Sequence, residues 1–169
     1  MRNGCWIRHN ACRRNLPHLE KPGKTYFATF CTFKRQILPP AARSVVLDSV
    51  VHDHQSKYWL EAAVVMPDHV HLICTPYELR LWMLLQAIKG SSSHRIKYIL
   101  SPPIWQDESF DHILRSGESA RTKAEYIINN PARKGLVATV DEWPWLWRSW
   151  IEGAAGEGAR RHTQEFTGS

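Results

Sequence analysis

The chain contains no stretch of 18 apolar residues, which excludes a helix able to span a bilayer. Its first residues are polar and basic and lack the apolar core of a signal peptide. The four cysteines, Cys5, Cys12, Cys31 and Cys74, show no Cys-x-x-Cys spacing, so neither a disulfide framework nor a regular zinc module is indicated. Cys5, His9 and Cys12 lie close together, but at a spacing that matches no common zinc pattern. Unpaired cysteines suit a reducing compartment, and the expected setting is soluble and cytoplasmic. No internal repeat is present. Acidic residues are in the minority, 16 against 22 Lys and Arg, which leaves a formal charge of +6. An excess of that sign suggests a polyanionic partner, though solubility alone could explain a modest excess; no membrane partner is expected, because no spanning run exists.

What is present is the content of one globular domain: 169 residues, 43% hydrophobic. Residues 1–24 read as a basic N-terminal arm broken by Pro17 and Pro22-Gly23. Thr25 to Phe33 is dense in aromatic and β-branched residues and predicts a strand. Pro39-Pro40 opens a helix to about Lys57 with a Val/Leu stripe. Trp59 to Met66 and His69 to Cys74 predict two strands joined by a Pro67-Asp68 turn. An amphipathic helix begins at Leu79, is interrupted at Gly90-Ser91-Ser92-Ser93, and resumes around His94 to Leu100. A short strand falls within Trp105–Leu114, and a helix from Glu118 to Asn130 is stopped by Pro131. Residues 25–137 form the expected catalytic domain. Residues 138–169 form a Trp-rich tail ending in a disordered Gly/Ala-rich segment.

Strand–helix–strand–strand–helix–strand is the order of the split β-α-β, or ferredoxin-like, α+β sandwich with an antiparallel sheet. An additional C-terminal helix carries Tyr126. The first and third strands are central in that arrangement, so His69 and His71 sit on a middle strand. Two residues apart on a strand, they share one face. Tyr126 and Asn130, four apart on a helix, also share a face. With that helix against the sheet, two imidazoles, an amide oxygen and a phenol would occupy one small volume. Imidazoles ligate divalent transition metals, and two of them leave positions open for a third ligand, water and substrate. An unperturbed phenol is only about one part in a thousand ionised at neutral pH. A metal that polarises a phosphate would make it a useful nucleophile.

The bland alternatives are a solvent-facing His pair, a packing tyrosine, and Asn130 as a helix C-cap. Asp107, Glu108 and Asp111 cluster like a two-metal site. They share no evident face with the histidines and are better read as hydrogen-bonding anchors of the Trp105–Leu114 segment. His112 is a candidate proton carrier.

The strand His69-Val70-His71, with Tyr126 on a helix 55 positions after His71, resembles the single-tyrosine HUH transposases. More narrowly, the chain resembles the REP-associated tyrosine transposases, the branch linked to repetitive extragenic palindromes. The stretches that carry this are Pro22 to Phe27, Val65 to His71, Trp105 to His112, Tyr126 to Gly135, and Trp143-Pro144-Trp145. The resemblance implies cleavage and rejoining of single-stranded or hairpin DNA through a 5′-phosphotyrosine, in the bacterial cytoplasm and at the nucleoid. It makes Tyr126 the nucleophile and His69, His71 and Asn130 ligands of Mg2+ or Mn2+. It also favours a monomer over a homodimer. The basic residues Arg13, Arg14, Lys34, Arg35, Arg95, Lys97, Arg115, Arg121, Lys123, Arg133 and Lys134 are assigned as a group to DNA phosphates. Two competing readings remain. One is a non-catalytic nucleic-acid-binding module stacking bases on Tyr26, Phe27, Phe30 and Phe33. The other is a water-using metallonuclease in which Tyr126 only packs.

Overall fold

A computed structural model describes residues 23–115 and 118–150. The chain runs β1 (Tyr26–Thr32), α1 (Pro40–Val51), β2 (Tyr58–Val65), β3 (His69–Pro76), α2 (Leu81–Ile96), β4 (Trp105–Ile113), α3 (Ala120–Ile128), α4 (Asn130–Arg133) and β5 (Leu146–Arg148). The five strands form one antiparallel sheet in the order β4-β1-β3-β2-β5. The α+β architecture is the expected one, with β1 and β3 in its interior. Among the described residues no helix is long and apolar enough to cross a membrane.

Period-two alternation divides the sheet's side chains between two layers. Tyr26, Ala28 and Phe30 of β1 and Val70, Leu72 and Cys74 of β3 face α1 and α2, meeting Val46, Val50, Leu81, Leu84 and Ile88. On the other face Ala62, Val64 and Ile73 meet Ala124, Ile127 and Ile128 of α3, with Trp143. A bulge between Leu60 and Ala62 sets the parity of β2, placing Leu60 and Ala63 in the first layer and Ala62 and Val64 in the second. The same alternation dismantles the proposed stacking platform. Tyr26 and Phe30 are buried beneath α1 and α2, while Phe27 points to the opposite face.

Three expectations are corrected. First, α2 is unbroken through Gly90 to Ser93. Ser92 is buried, its hydroxyl donates to the Ile88 carbonyl (2.7 Å), and it accepts from Trp105 Nε1 (3.0 Å). Packing against β4 overrides the weak helix propensity of Gly and Ser. Second, the Trp-rich segment is not a tail as far as it is described. Leu146, Trp147 and Arg148 pair with Val64, Ala63 and Ala62, and Trp143 is buried with Nε1 donating to the Val65 carbonyl (3.2 Å). The domain therefore extends past residue 137. Third, Pro131 does not stop the chain's helical course. α3 ends at Ile128, and a separate turn opens at Asn130 with Pro131 in its first positions, where a missing N–H costs nothing. The arm expected at 1–24 is described only from Gly23, so Cys5, His9, Cys12, Arg13 and Arg14 lie outside the described residues, as does the Gly/Ala-rich end.

Candidate active site

β3 pairs on both sides, with β1 and with β2, and this holds His69 and His71 on the α3 face of the sheet. Their Nε2 atoms are 3.1 Å apart. Each outer nitrogen is engaged: His69 Nδ1 lies 2.5 Å from Asp68 Oδ1, and His71 Nδ1 lies 2.7 Å from Thr29 Oγ1. Thr29 reaches it because β1 and β3 pair in a register that sets Thr29 opposite His71. Arg35 Nη1 in turn bonds Asp68 Oδ2 at 3.1 Å. The turn carrying Asp68 is itself pinned to the end of β1. Thr32 N–H donates to the Asp68 carbonyl (2.9 Å), and Thr32 Oγ1 lies 3.0 Å from the same oxygen.

Burial lowers the basicity of both histidines. His71 is pushed down to about 3 by burial, then by the neighbouring His69 and Arg35. His69 is lowered mainly by burial, which the hydrogen bond and charge of Asp68 partly oppose. Burial would raise Asp68, but the bonds and charges of His69 and Arg35 hold its carboxyl below the usual value. Both imidazoles are thus neutral near neutral pH, the form that ligates metals. If each donates Nδ1–H outward, to Asp68 and to Thr29, both Nε2 lone pairs converge on one point. That is the usual arrangement behind metal-binding histidines. Two imidazole nitrogens held at about 2.1 Å from one ion at roughly right angles would lie about 3 Å apart, so the donor pair fits a divalent cation. Three or more clustered His, Cys, Asp or Glu are absent among the described residues. Among the described residues, a third protein ligand would therefore be of another residue type.

α3 packs on this same face through Ala124, Ile127 and Ile128. Its N-terminus is capped by Ser119, whose hydroxyl accepts from Thr122 N–H (3.3 Å). Tyr126 falls away from that buried stripe. It is 57% exposed, lines a shallow cleft with Ser119, Thr122 and Lys123, and stacks under the Arg133 guanidinium at 4.1 Å. No hydrogen bond joins Tyr126 to either histidine among the described residues. Asn130, half-buried, accepts at its carbonyl from Lys134 N–H (2.9 Å), so the two share a face of one helical turn. The Lys134 charge acts on both imidazoles. The structure therefore brings the histidines together, with the Lys134 charge acting on them. It does not place the phenol in contact with them.

The assigned basic residues scatter. Arg35 and Lys134 act electrostatically on the site. Arg133 covers Tyr126, and Lys34 sits over the Phe33 ring. Arg121 is bound to Glu125 (2.7 Å) and lies over Trp150, while Lys123 approaches Glu118 (3.8 Å). The Arg115 backbone N–H donates to Glu118. Arg95 belongs to α2 and Lys97 caps its C-terminus, in the layer across the sheet. Arg95 there contacts Ser49 (3.2 Å) and Asp48 (3.5 Å), and Lys97 lies over Tyr98. A strand laid on the histidine face does not meet these two. Asp107 and Glu108 are exposed, and β4 is anchored by main-chain carbonyls that accept from Lys89. His112 is engaged with Glu118 at 3.3 Å.

Two site residues escaped sequence reasoning. Asp68, read only as a turn former, had a usable signal in its position directly before His69. Thr29 had none, since only the β1–β3 register puts it beside His71.

The fold and site together describe an antiparallel α+β sandwich with a paired-histidine centre on a middle strand. No family profile matches the chain. A Haemophilus influenzae protein described as a REP-associated tyrosine transposase is 28% identical over 98 residues, 50% of this chain and 55% of that protein. The REP-associated tyrosine transposase of Escherichia coli is 31% identical over 90 residues, 50% of this chain and 51% of that protein. This chain thus spans about half the length of these curated relatives. A solved structure of a REP-associated tyrosine transposase bound to a REP hairpin superposes with a TM-score of 0.61 at 26% identity, covering 77% of this chain and 79% of that one. In sequence and in fold, this chain is similar to REP-associated tyrosine transposases.

Proposed function

We propose that the chain cleaves and rejoins single-stranded DNA next to a hairpin, with Tyr126 as nucleophile and a divalent cation, Mg2+ or Mn2+, held by His69, His71 and Asn130. The observation that carries this is the 3.1 Å approach of two Nε2 atoms whose outer nitrogens are both engaged. A binding module has no use for two neutral imidazoles converging on a point beneath a helix with an exposed tyrosine.

His69 and His71 supply two nitrogen ligands, oriented by Asp68 and Thr29. Asn130 supplies an amide oxygen from the turn that also carries Lys134, whose charge acts on both imidazoles. The cation contributes Lewis-acid polarisation of the scissile phosphate and charge stabilisation on the leaving oxygen. Tyr126 Oη gives its proton to solvent water, to which it is exposed, and attacks phosphorus. The Oη–P bond forms, the P–O3′ bond breaks, and the leaving 3′-oxygen takes a proton from water to become a hydroxyl. Attack by a 3′-hydroxyl on the phosphotyrosine reverses the step and rejoins a strand. Lys134 and Arg35 offset phosphate charge without themselves being ligands. Hairpin DNA is the substrate best supported, because the structural relative is bound to a REP hairpin.

Incubation of the protein with labelled single-stranded palindromic DNA and Mn2+ should give a protein–DNA adduct stable to denaturant. Tyr126→Phe, which removes only the oxygen, should give none. An undiminished adduct in that variant refutes the assignment.

A further inference from the structure

Thr29 has two cross-strand neighbours on the histidine face: His71 on β3 and Phe110 on β4. Phe110 is therefore in the same row of the sheet as the site, two strand spacings or roughly 10 Å from His71. It is 62% exposed although it projects from a strand in the middle of a motif-rich segment. Its ring continues a chain of aromatic contacts. Phe27 lies 5.6 Å from the His71 ring, and Phe110 meets Phe27 edge-on at 6.3 Å. α3 covers the β2–β3 half of this face through Ala62, Val64 and Ile73, and β4 is the opposite edge of the sheet.

A lone exposed aromatic is ordinary on a protein surface. Position distinguishes this one, because it flanks the centre to which a phosphate would be drawn, and Arg35 and Lys134 supply positive charge there. One ring with a half-buried neighbour is too small for a protein interface, which needs many hundreds of Å2 per partner. It matches the face of a single base.

We infer that Phe110 is a stacking platform for one unpaired nucleobase of the DNA strand, on a nucleotide adjoining the phosphate held at His69 and His71. This rests on the proposed reaction and adds a binding subsite to it. Phe27 backs the platform by fixing the Phe110 ring, and β4, the edge strand among the described residues, lies where the DNA strand would enter. Because every base offers a π-face, the contact supplies affinity and register rather than sequence readout.

The test uses full-length Tyr126→Phe protein with Mg2+, so that no cleavage intervenes. Hairpin oligonucleotides carry 2-aminopurine at successive unpaired positions beside the hairpin. One position should be quenched on binding. Adding Phe110→Leu should abolish that quench and weaken affinity roughly five- to a hundredfold. Phe110→Trp should preserve both. Phe110→Ala, checked by circular dichroism, should behave as the Leu variant. Unchanged quenching and affinity in Phe110→Leu overturn the platform, while adduct formation by the wild type still upholds the chemistry. Absence of that adduct refutes the chemistry whatever Phe110 does. A dimer lost on Phe110→Leu, with quenching retained, would assign the ring to a second copy of this chain and overturn the proposal.

Discussion

Asp68→Ala separates a metal site from a pair of merely packed histidines. The carboxylate lies 2.5 Å from His69 Nδ1 and is itself bonded to Arg35 at 3.1 Å. Its hydrogen bond and charge raise His69's proton affinity against the burial that lowers it. Without them the imidazole is a weaker base and hence a weaker ligand, and its ring is free to turn. Loss of such an outer partner typically costs ten- to a hundredfold in metal affinity, about 1.4 to 2.7 kcal/mol. Fold stability should hardly change. The Arg35–Asp68 pair is solvent-accessible and contributes at most about 1 kcal/mol, and the main-chain bonds of the turn survive. The assay is calorimetric titration with Mn2+ beside a thermal melt. Arg35→Ala is the control: it leaves the Asp68 carboxylate on His69 and removes a charge that depresses both imidazoles, so affinity should hold or rise. Mn2+ affinity within twofold of wild type in Asp68→Ala would refute the account of how His69 is prepared.

Thr29→Val keeps shape but strips His71 Nδ1 of its partner, and should cost about 1 to 3 kcal/mol in chemical denaturation as well as metal affinity. The depressed pKa of His71 sets a pH dependence. Above 6.5 neither state binds the proton, whereas between 6.5 and about 3 the unfolded chain binds it and the folded one does not. Stability of the metal-free protein should therefore fall as pH drops through that window, by at most about 4 to 5 kcal/mol. Urea midpoints of wild type minus His71→Asn isolate the effect, and parallel pH curves would count against it. Trp143→Ala should destabilise the domain by about 3 to 5 kcal/mol, because this ring is buried against β2 and α3. A change under 1 kcal/mol would mean that the Trp-rich segment is dispensable after all. DNA affinity should fall steeply with salt, with a log–log slope of roughly −3.5 to −4.5 for about five phosphate contacts. A flat salt response would remove the basic residues from the binding account.

The strands were readable in the sequence because alternation of side chains is a local property, and the middle position of β3 because the order of elements is that of the split β-α-β arrangement. β-branched and aromatic runs bounded by Pro, Gly and Asp declare themselves without knowledge of partners. The His69–His71 pair belongs to the same class, since a spacing of two on any strand fixes a shared face. Most of what went astray depended on contacts distant in sequence. Gly90 to Ser93 look like a helix break until Trp105 packs on Ser92. Trp143 to Arg148 look like a tail until β2 supplies their hydrogen-bond partners. Pro131 looks like a stop until the chain is seen to restart a turn with it.

The sequence by itself thus determined that two imidazoles share a face of a central strand and that a tyrosine and an asparagine follow in helical structure, though on two successive segments and not on the one helix expected. Only the tertiary structure decided that Asp68 and Thr29 hold the outer nitrogens, that Arg95 and Lys97 lie across the sheet, and that Phe110 shares the histidines' row. It also left Tyr126 exposed on α3 rather than bonded to the pair. The physical reason is the same in each case. Periodicity is fixed by the backbone geometry of one element. Register between strands, and the rotation of a helix on a sheet, are fixed by which side chains of separate elements pack together.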